Sequence, residues 1–352
     1  MIYGHGGDIY TYQDMLDFSV NVNPLGTPER VITAAKRGVE SAAVYPDSRC
    51  GRLREKLAGK QNLPEESYIF GNGAADIIYT LVLAEKPKRA LIPVPAFSEY
   101  EQALECAGCE IKYYYTKENN CFCIDSDFLK ELKKDVDIVF LCSPVNPSGH
   151  RLDKQLMKQA ADICEENGIR LVVDECFVEF VQETEKYSMI DNVKKYRQLF
   201  ILRAFTKIYA MAGLRLGYGI SSDCGLLERM ERASQPWSVS VPAQEAGIAA
   251  LDEDMYVENA RNLIVKERDY LERELKKMGI KFVSSDVNFI LLYTRINLFD
   301  KMRNHGILIR NCENYRGLGR GWYRVAVRTH EENFCLINAL KGAAGDRTEV
   351  TG

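Results

Sequence analysis

The strongest constraint on this chain is an alternation that begins near residue 68. Short apolar runs take turns with amphipathic stretches of helical spacing. "YIFG" precedes "AADIIYTLV", and "ALIPVPAF" precedes "SEYEQALECAG", read as a helix opened by a serine cap. "CEIKYYY", "DIVFLCSP", "IRLVVDE" and "LFILRAF" read as further strands, and "DKQLMKQAADICEENG" as a helix that stops at Gly168. Alternation of this kind predicts a largely parallel sheet covered by helices. The continuous apolar character of the strands fits burial on both faces.

The pattern changes after about residue 240. A long charged helix over roughly 253–278 leads to "KFVSSDVNFILLYT", a helix near 297–305, and "WYRVAVR". Four segments are expected: an N-terminal arm (1–30) that joins the smaller domain or covers a site, a large domain (31–245), a smaller α+β domain (246–345) and a frayed tail (346–352). A length of 352 residues suits two domains.

Composition removes several classes of function. Lys and Arg number 46 against 50 Asp and Glu, for a net charge of −4. A nucleic-acid binder would carry a basic excess. No apolar run reaches the roughly 18 residues of a membrane span. The start, "MIYGHGGDIYTYQ", lacks a charged region followed by an apolar one, so a cytoplasmic protein is expected. Eleven scattered cysteines suit free thiols in a reducing compartment. Cys106, Cys109, Cys121 and Cys123 raise a zinc site as an alternative, but the first two fall between a helix and a strand, where structural thiols are the expectation. The four histidines, His5, His150, His305 and His330, show no metal-binding pairing.

Ligands of parallel sheets bind beyond the carboxyl ends of the strands, and four such ends carry unusual residues. "YIFGNGAADIIYTLV" places Gly73, Ala74 and Ala75 between a strand and a helix. Small residues there let an anion approach free backbone N–H groups, although a tight turn alone would use the same residues. "FLCSPVNPSG" ends in a turn that can be turn chemistry only, or can hold Asn146 as a hydrogen-bond donor to a ligand oxygen. "RLVVDECF" ends a buried strand in Asp174, a carboxylate that needs a partner such as a capped loop or a protonated ring nitrogen. "LFILRAFTKIYAMAGLRLGYG" ends a strand in Thr206 and Lys207, with Arg215 eight residues on from the lysine. A lysine snorkelling at the surface is the plain alternative. A desolvated one suits Schiff-base chemistry with an aldehyde. Together the four features match one cofactor, pyridoxal 5′-phosphate (PLP).

With these residues in place, the sequence resembles the fold-type I PLP enzymes, in the branch of histidinol-phosphate aminotransferases and L-threonine-O-3-phosphate decarboxylases. The likeness spans nearly the whole chain, from "HGGDIY" to "WYRVAVR". "HGGDIY…LDFSVNVNPLG", "PVPAFSEYEQAL", "PWSVS", "GILIRNCENYRGLG" and "YRVAVR" are more similar to the decarboxylases. The resemblance implies a large domain with a mostly parallel seven-stranded sheet and a smaller α+β domain. It implies that Lys207 bonds the cofactor aldehyde, Asp174 pairs with the ring nitrogen, Asn146 binds the phenolic oxygen and Phe97 stacks on the ring. Gly73, Ala74, Ala75, Thr206 and Arg215 would hold the cofactor phosphate. Tyr45 would reach that phosphate in a partner subunit of a homodimer. Arg310 and Arg324 would bind anionic groups of a small phosphorylated substrate. His5 and Asn23 would close the site and contact the substrate phosphate.

Two positions depart from the family pattern. Ala204 stands where many relatives have a serine, and Phe177 where the aminotransferases usually have a tyrosine. The expected reaction is decarboxylation of L-threonine O-3-phosphate, giving a phosphorylated aminopropanol for cobalamin assembly. Transamination of histidinol phosphate or a similar compound is the alternative. A PLP-binding protein without turnover is a lesser one, disfavoured by the full set of catalytic positions.

Overall fold

The computed structural model describes residues 4–345. The expected frayed tail, 346–352, lies outside the described residues. A two-residue strand, β1 (Leu16–Asp17), belongs to the N-terminal segment. Seven strands then build the main sheet: β2 (Tyr68–Gly71), β3 (Arg89–Val94), β4 (Glu110–Tyr115), β5 (Ile138–Cys142), β6 (Arg170–Asp174), β7 (Leu199–Ala204) and β8 (Gly217–Ile220). Their order is β2-β8-β7-β6-β5-β3-β4. Pairing is parallel from β7 to β4, and β8 runs antiparallel to both its neighbours. Every residue of β5, β6 and β7 is buried, so their apolar residues run without alternation, interrupted by Arg170, Asp174 and Arg203. Edge strand β4 is half exposed and carries Glu110 and Lys112, which blunts it against edge pairing.

The C-terminal part adds β9 (Lys281–Val283), β10 (Phe289–Tyr293), β11 (Ile307–Leu308), β12 (Arg310–Asn311) and β13 (Trp322–Ala326). Four of them form an antiparallel sheet in the order β12-β13-β10-β9. The helix Asp254–Lys277 buries Val257, Ala260, Ile264, Leu271 and Leu275, a stripe at helical spacing. Most of its charged residues lie off this stripe, with Glu267 buried among the apolar ones.

The N-terminal segment is tied to this second sheet. Strand β1 pairs in parallel with β11, and the Ala326 N–H donates to the Phe18 carbonyl at 2.9 Å. Just beyond β1 the chain crosses to the main sheet, where the Asn23 N–H donates to the Lys207 carbonyl at 3.1 Å. The first residues therefore staple the two sheets together beside the loops that follow β7.

Two local expectations are corrected. Ser98 does not cap its helix, which spans Ser98–Cys106. The capping position is Phe97, extended at φ −65° and ψ 129°, and it makes no side-chain cap. Lys207 does not end a strand either. Strand β7 stops at Ala204, and one helical turn, Phe205–Ile208, carries the lysine. All cysteines among the described residues are free. Cys106 and Cys121 are exposed, Cys109 is buried, Cys123 is half-buried, and no grouping of three candidate ligands for a metal ion occurs among the described residues.

Candidate active site

Segments following β2, β3, β5, β6 and β7 converge on a cavity of about 420 Å³, closed from the other side by the N-terminal segment and by β12 and β13. Carboxyl ends of parallel strands are where such cavities form. Lys207 lies in its wall, with Nζ 5.9 Å from the Phe177 ring centre. Burial lowers the amine from its ordinary value to about 8, and the nearby Arg324 and Arg215 push the same way. A lysine held so has a far larger neutral fraction near physiological pH than an ordinary lysine, and that fraction can act as a nucleophile.

Asp174, at the end of β6, is buried in the same wall. Its Oδ1 accepts from the Cys176 N–H at 2.9 Å, and the buried Tyr100 hydroxyl donates to Oδ2. Burial pushes the carboxyl upward and these donors pull it back. A desolvated carboxylate with two donors but no cation suits a cationic ligand atom. Asn146, in the turn after β5, receives the Arg324 guanidinium on Oδ1. Arginine has only donors, so this contact fixes the amide and leaves Nδ2 to donate to a ligand. Phe97 lines the cavity and meets Tyr100 edge-on, with ring centres 5.7 Å apart.

Gly73, at φ 84°, precedes the helix Ala74–Glu85, and Ala74 and Ala75 reach the cavity wall. The Arg215 guanidinium lies 2.4 Å from where a Cβ on residue 73 would stand. Only glycine satisfies both the backbone conformation and the space. Thr206 adds a hydroxyl to the same wall. A helix N-terminus, a guanidinium and a hydroxyl form an anion cradle.

Arg310 and Arg324 stand directly opposite each other on β12 and β13. Both are buried, and neither has a carboxylate within ion-pair distance among the described residues. Arg324 donates to the Ser19 carbonyl at 3.1 Å, while its Nε has no partner. Arg310 donates to Asn314 Oδ1 at 2.9 Å. Facing like charges are destabilising, so this pair is built to receive anions. His5 lies at the cavity mouth.

Asn23 and Tyr45 do not line this chain's own cavity, as a tyrosine meant for a partner subunit's site would not. Asn23 is expected at the substrate, but its Nδ2 donates to the Ile208 carbonyl at 2.7 Å and its Oδ1 accepts from the Leu25 N–H at 3.1 Å. It pins the lysine turn and does not line the cavity. Asn21 does line it, and its buried Oδ1 is unpartnered. Tyr45 is exposed and stacked on Trp237 at 4.5 Å, away from this chain's own cavity. Glu99, Tyr100 and Tyr315 are site residues that sequence reasoning missed. They lie in a helical pattern and a loop whose polar residues look like ordinary surface.

PLP presents an aldehyde, a basic ring nitrogen, a phenolic oxygen and a phosphate. The depressed amine, the buried carboxylate, the free amide N–H and the cradle that excludes a Cβ fit these four in turn. Fold and site thus define a PLP-dependent enzyme of fold type I. The chain belongs to the aminotransferase class I and II family, whose model matches residues 13–340. It is 34% identical over 349 residues to a threonine-phosphate decarboxylase of Salmonella typhimurium, covering 96% of this chain and 95% of the relative. It is 32% identical to a histidinol-phosphate aminotransferase of Symbiobacterium thermophilum, covering 95% and 91%. The solved histidinol-phosphate aminotransferase of Clostridium acetobutylicum superposes with a TM-score of 0.88 at 32% identity, over 94% of this chain and 100% of that one.

Proposed function

We propose that this enzyme decarboxylates L-threonine O-3-phosphate to a phosphorylated aminopropanol, the reading that also places it in cobalamin assembly. The observation that carries this is the pair of buried guanidiniums, Arg310 and Arg324, facing each other without an acidic partner. Two such groups suit a substrate that bears a carboxylate and a phosphate at once. Histidinol phosphate bears only the phosphate. Phe177 supports the same reading, because it offers no hydroxyl beside the ring site.

PLP, when bound, supplies an electron sink that weakens the Cα bond held perpendicular to its ring. The residues decide which bond that is. Asp174, Asn146, Phe97 and the cradle of Gly73, Ala74, Ala75, Thr206 and Arg215 fix the ring. Arg310 and Arg324 clamp the anionic ends and set the rotation about Cα. Lys207 returns a proton to Cα once the carboxylate has left. Tyr45, exposed on its own subunit, reaches the cofactor phosphate of a second copy in a homodimer.

Transamination is the second reading. The histidinol-phosphate aminotransferase relatives support it, and a dicarboxylate such as 2-oxoglutarate would also occupy both guanidiniums. Incubation with L-threonine O-3-phosphate, and separately with histidinol phosphate plus 2-oxoglutarate, decides by mass spectrometry. CO2 and aminopropanol phosphate without a keto acid are expected. Glutamate and an oxo product in the second mixture alone would overturn the proposal.

A further inference from the structure

The N-terminal arm crosses the cavity mouth, and one acidic side chain there has no role so far. Glu99 is in the first turn of the helix Ser98–Cys106 and lines the cavity. Its side chain is only 12% exposed, and its Oε1 lies 3.3 Å from His5 Nε2. An acid is an unexpected wall for a cavity that receives anions, unless it serves the cations around it. It also lies in the field of Arg310, and Ser98 donates to its other oxygen at 3.1 Å.

The arm is seated closely against the segment after β1. A Cβ on Gly6 would lie 2.3 Å from the Ser19 carbonyl oxygen, and Gly7 takes φ 85° against Val20. The Gly7 N–H donates to Ser19 Oγ at 2.7 Å, and Asn314 Nδ2 donates to the Gly4 carbonyl at 3.3 Å. The backbone on both sides of His5 is thereby held. The ring is still half exposed, at 53%, and Glu99 is its one charged contact among the described residues.

We infer that Glu99 is a positioning residue that latches His5 over the cavity mouth and presents the imidazole to the substrate phosphate. A carboxylate on Nε2 leaves Nδ1 as the nitrogen that faces a ligand. Glu99 itself would not touch the phosphate, since two anions would repel. The inference rests on the reading that the site takes phosphorylated amines. It does not depend on which reaction follows.

The test therefore measures binding by the change in the cofactor's visible spectrum. The ligands are L-threonine O-3-phosphate, histidinol phosphate and unphosphorylated L-threonine, and the proteins are holoenzymes. Glu99→Gln should weaken both phosphorylated ligands about tenfold, the scale of one impaired charge-assisted hydrogen bond. L-Threonine binding should stay within about twofold. Glu99→Asp should recover part of the loss. Glu99→Gln combined with His5→Gln should bind no more weakly than His5→Gln alone, because the latch acts through His5. Additive losses in the double variant would overturn the inference, as would an equal loss for L-threonine. If neither phosphorylated amine binds the wild-type holoenzyme, the reading of the site fails instead, before any variant is made.

Discussion

At the scale of single residues, the amine of Lys207 governs what the site can do and at which pH. Its value falls from the ordinary lysine range to about 8 because burial penalises the ammonium. Between pH 8 and the unfolded-state lysine value, the unfolded chain holds a proton that the folded chain lacks. Stability without cofactor should therefore rise with pH across that window, and the cost of burying the ammonium is fully present below it. Loading of cofactor-free protein with PLP should accelerate with a midpoint near pH 8, followed by absorbance. A midpoint above 10 would contradict the burial argument. Arg324→Gln should move the midpoint upward, because that guanidinium is the largest charge lowering the amine. Lys207→Ala should cut turnover by at least about a thousandfold. It should also remove the covalently bound cofactor's absorbance band.

Single residues also show what the sequence could and could not reveal. Lys207, Asp174 and Asn146 are legible because each stands at or just past the end of a buried strand, where a polar side chain stands out. Asn21 and Asn23 are not separable by sequence. They share one irregular segment, and no periodicity says which amide faces inward. Glu99 was hidden for the opposite reason. In "SEYEQ" an acid in a first helical turn is the commonest of surface features.

At the scale of elements, the site depends on two close approaches. Strand β8 is pressed onto the phosphate turn, so a Cβ on Gly217 would lie 2.5 Å from the Ala74 nitrogen. Both sides of that contact are backbone and cannot swing away. Gly217→Ala should cost about 1–3 kcal/mol in denaturant unfolding. It should also weaken PLP binding by at least about tenfold, because the cradle must shift. The second approach is Asn23 against the lysine turn. Asn23→Ala leaves the buried Ile208 carbonyl without its donor, at a cost of about 1–3 kcal/mol. If Asn23 instead held substrate, its loss would change the Michaelis constant and leave stability untouched. The parallel core was legible because β5, β6 and β7 are apolar runs broken only by Arg170, Asp174 and Arg203. The reversed direction of β8 was not, since a short glycine-bearing strand reads alike in either direction.

At the scale of the whole molecule, Tyr45 and Trp237 form an exposed aromatic pair away from their own cavity. The proposed homodimer would cover this pair. Sedimentation should show a dimer. Tyr45→Ala and Lys207→Ala homodimers should each be impaired, and mixing them should restore activity that neither has. In the hybrid, one site has its own lysine and an intact tyrosine from the other subunit. Mixing without recovery would place the tyrosine's role within its own subunit.

The stapling of β1 to β11 has a consequence for biosynthesis. A growing chain can complete β2 to β8, and with them the lysine, the carboxylate and the phosphate cradle, long before residue 307 is made. Until then the segment that holds His5 and Asn21 has no strand to pair with, and Arg310 and Arg324 do not exist. The residues that would hold the cofactor therefore precede, in order of synthesis, Arg310 and Arg324, the pair that would clamp the substrate's anionic ends.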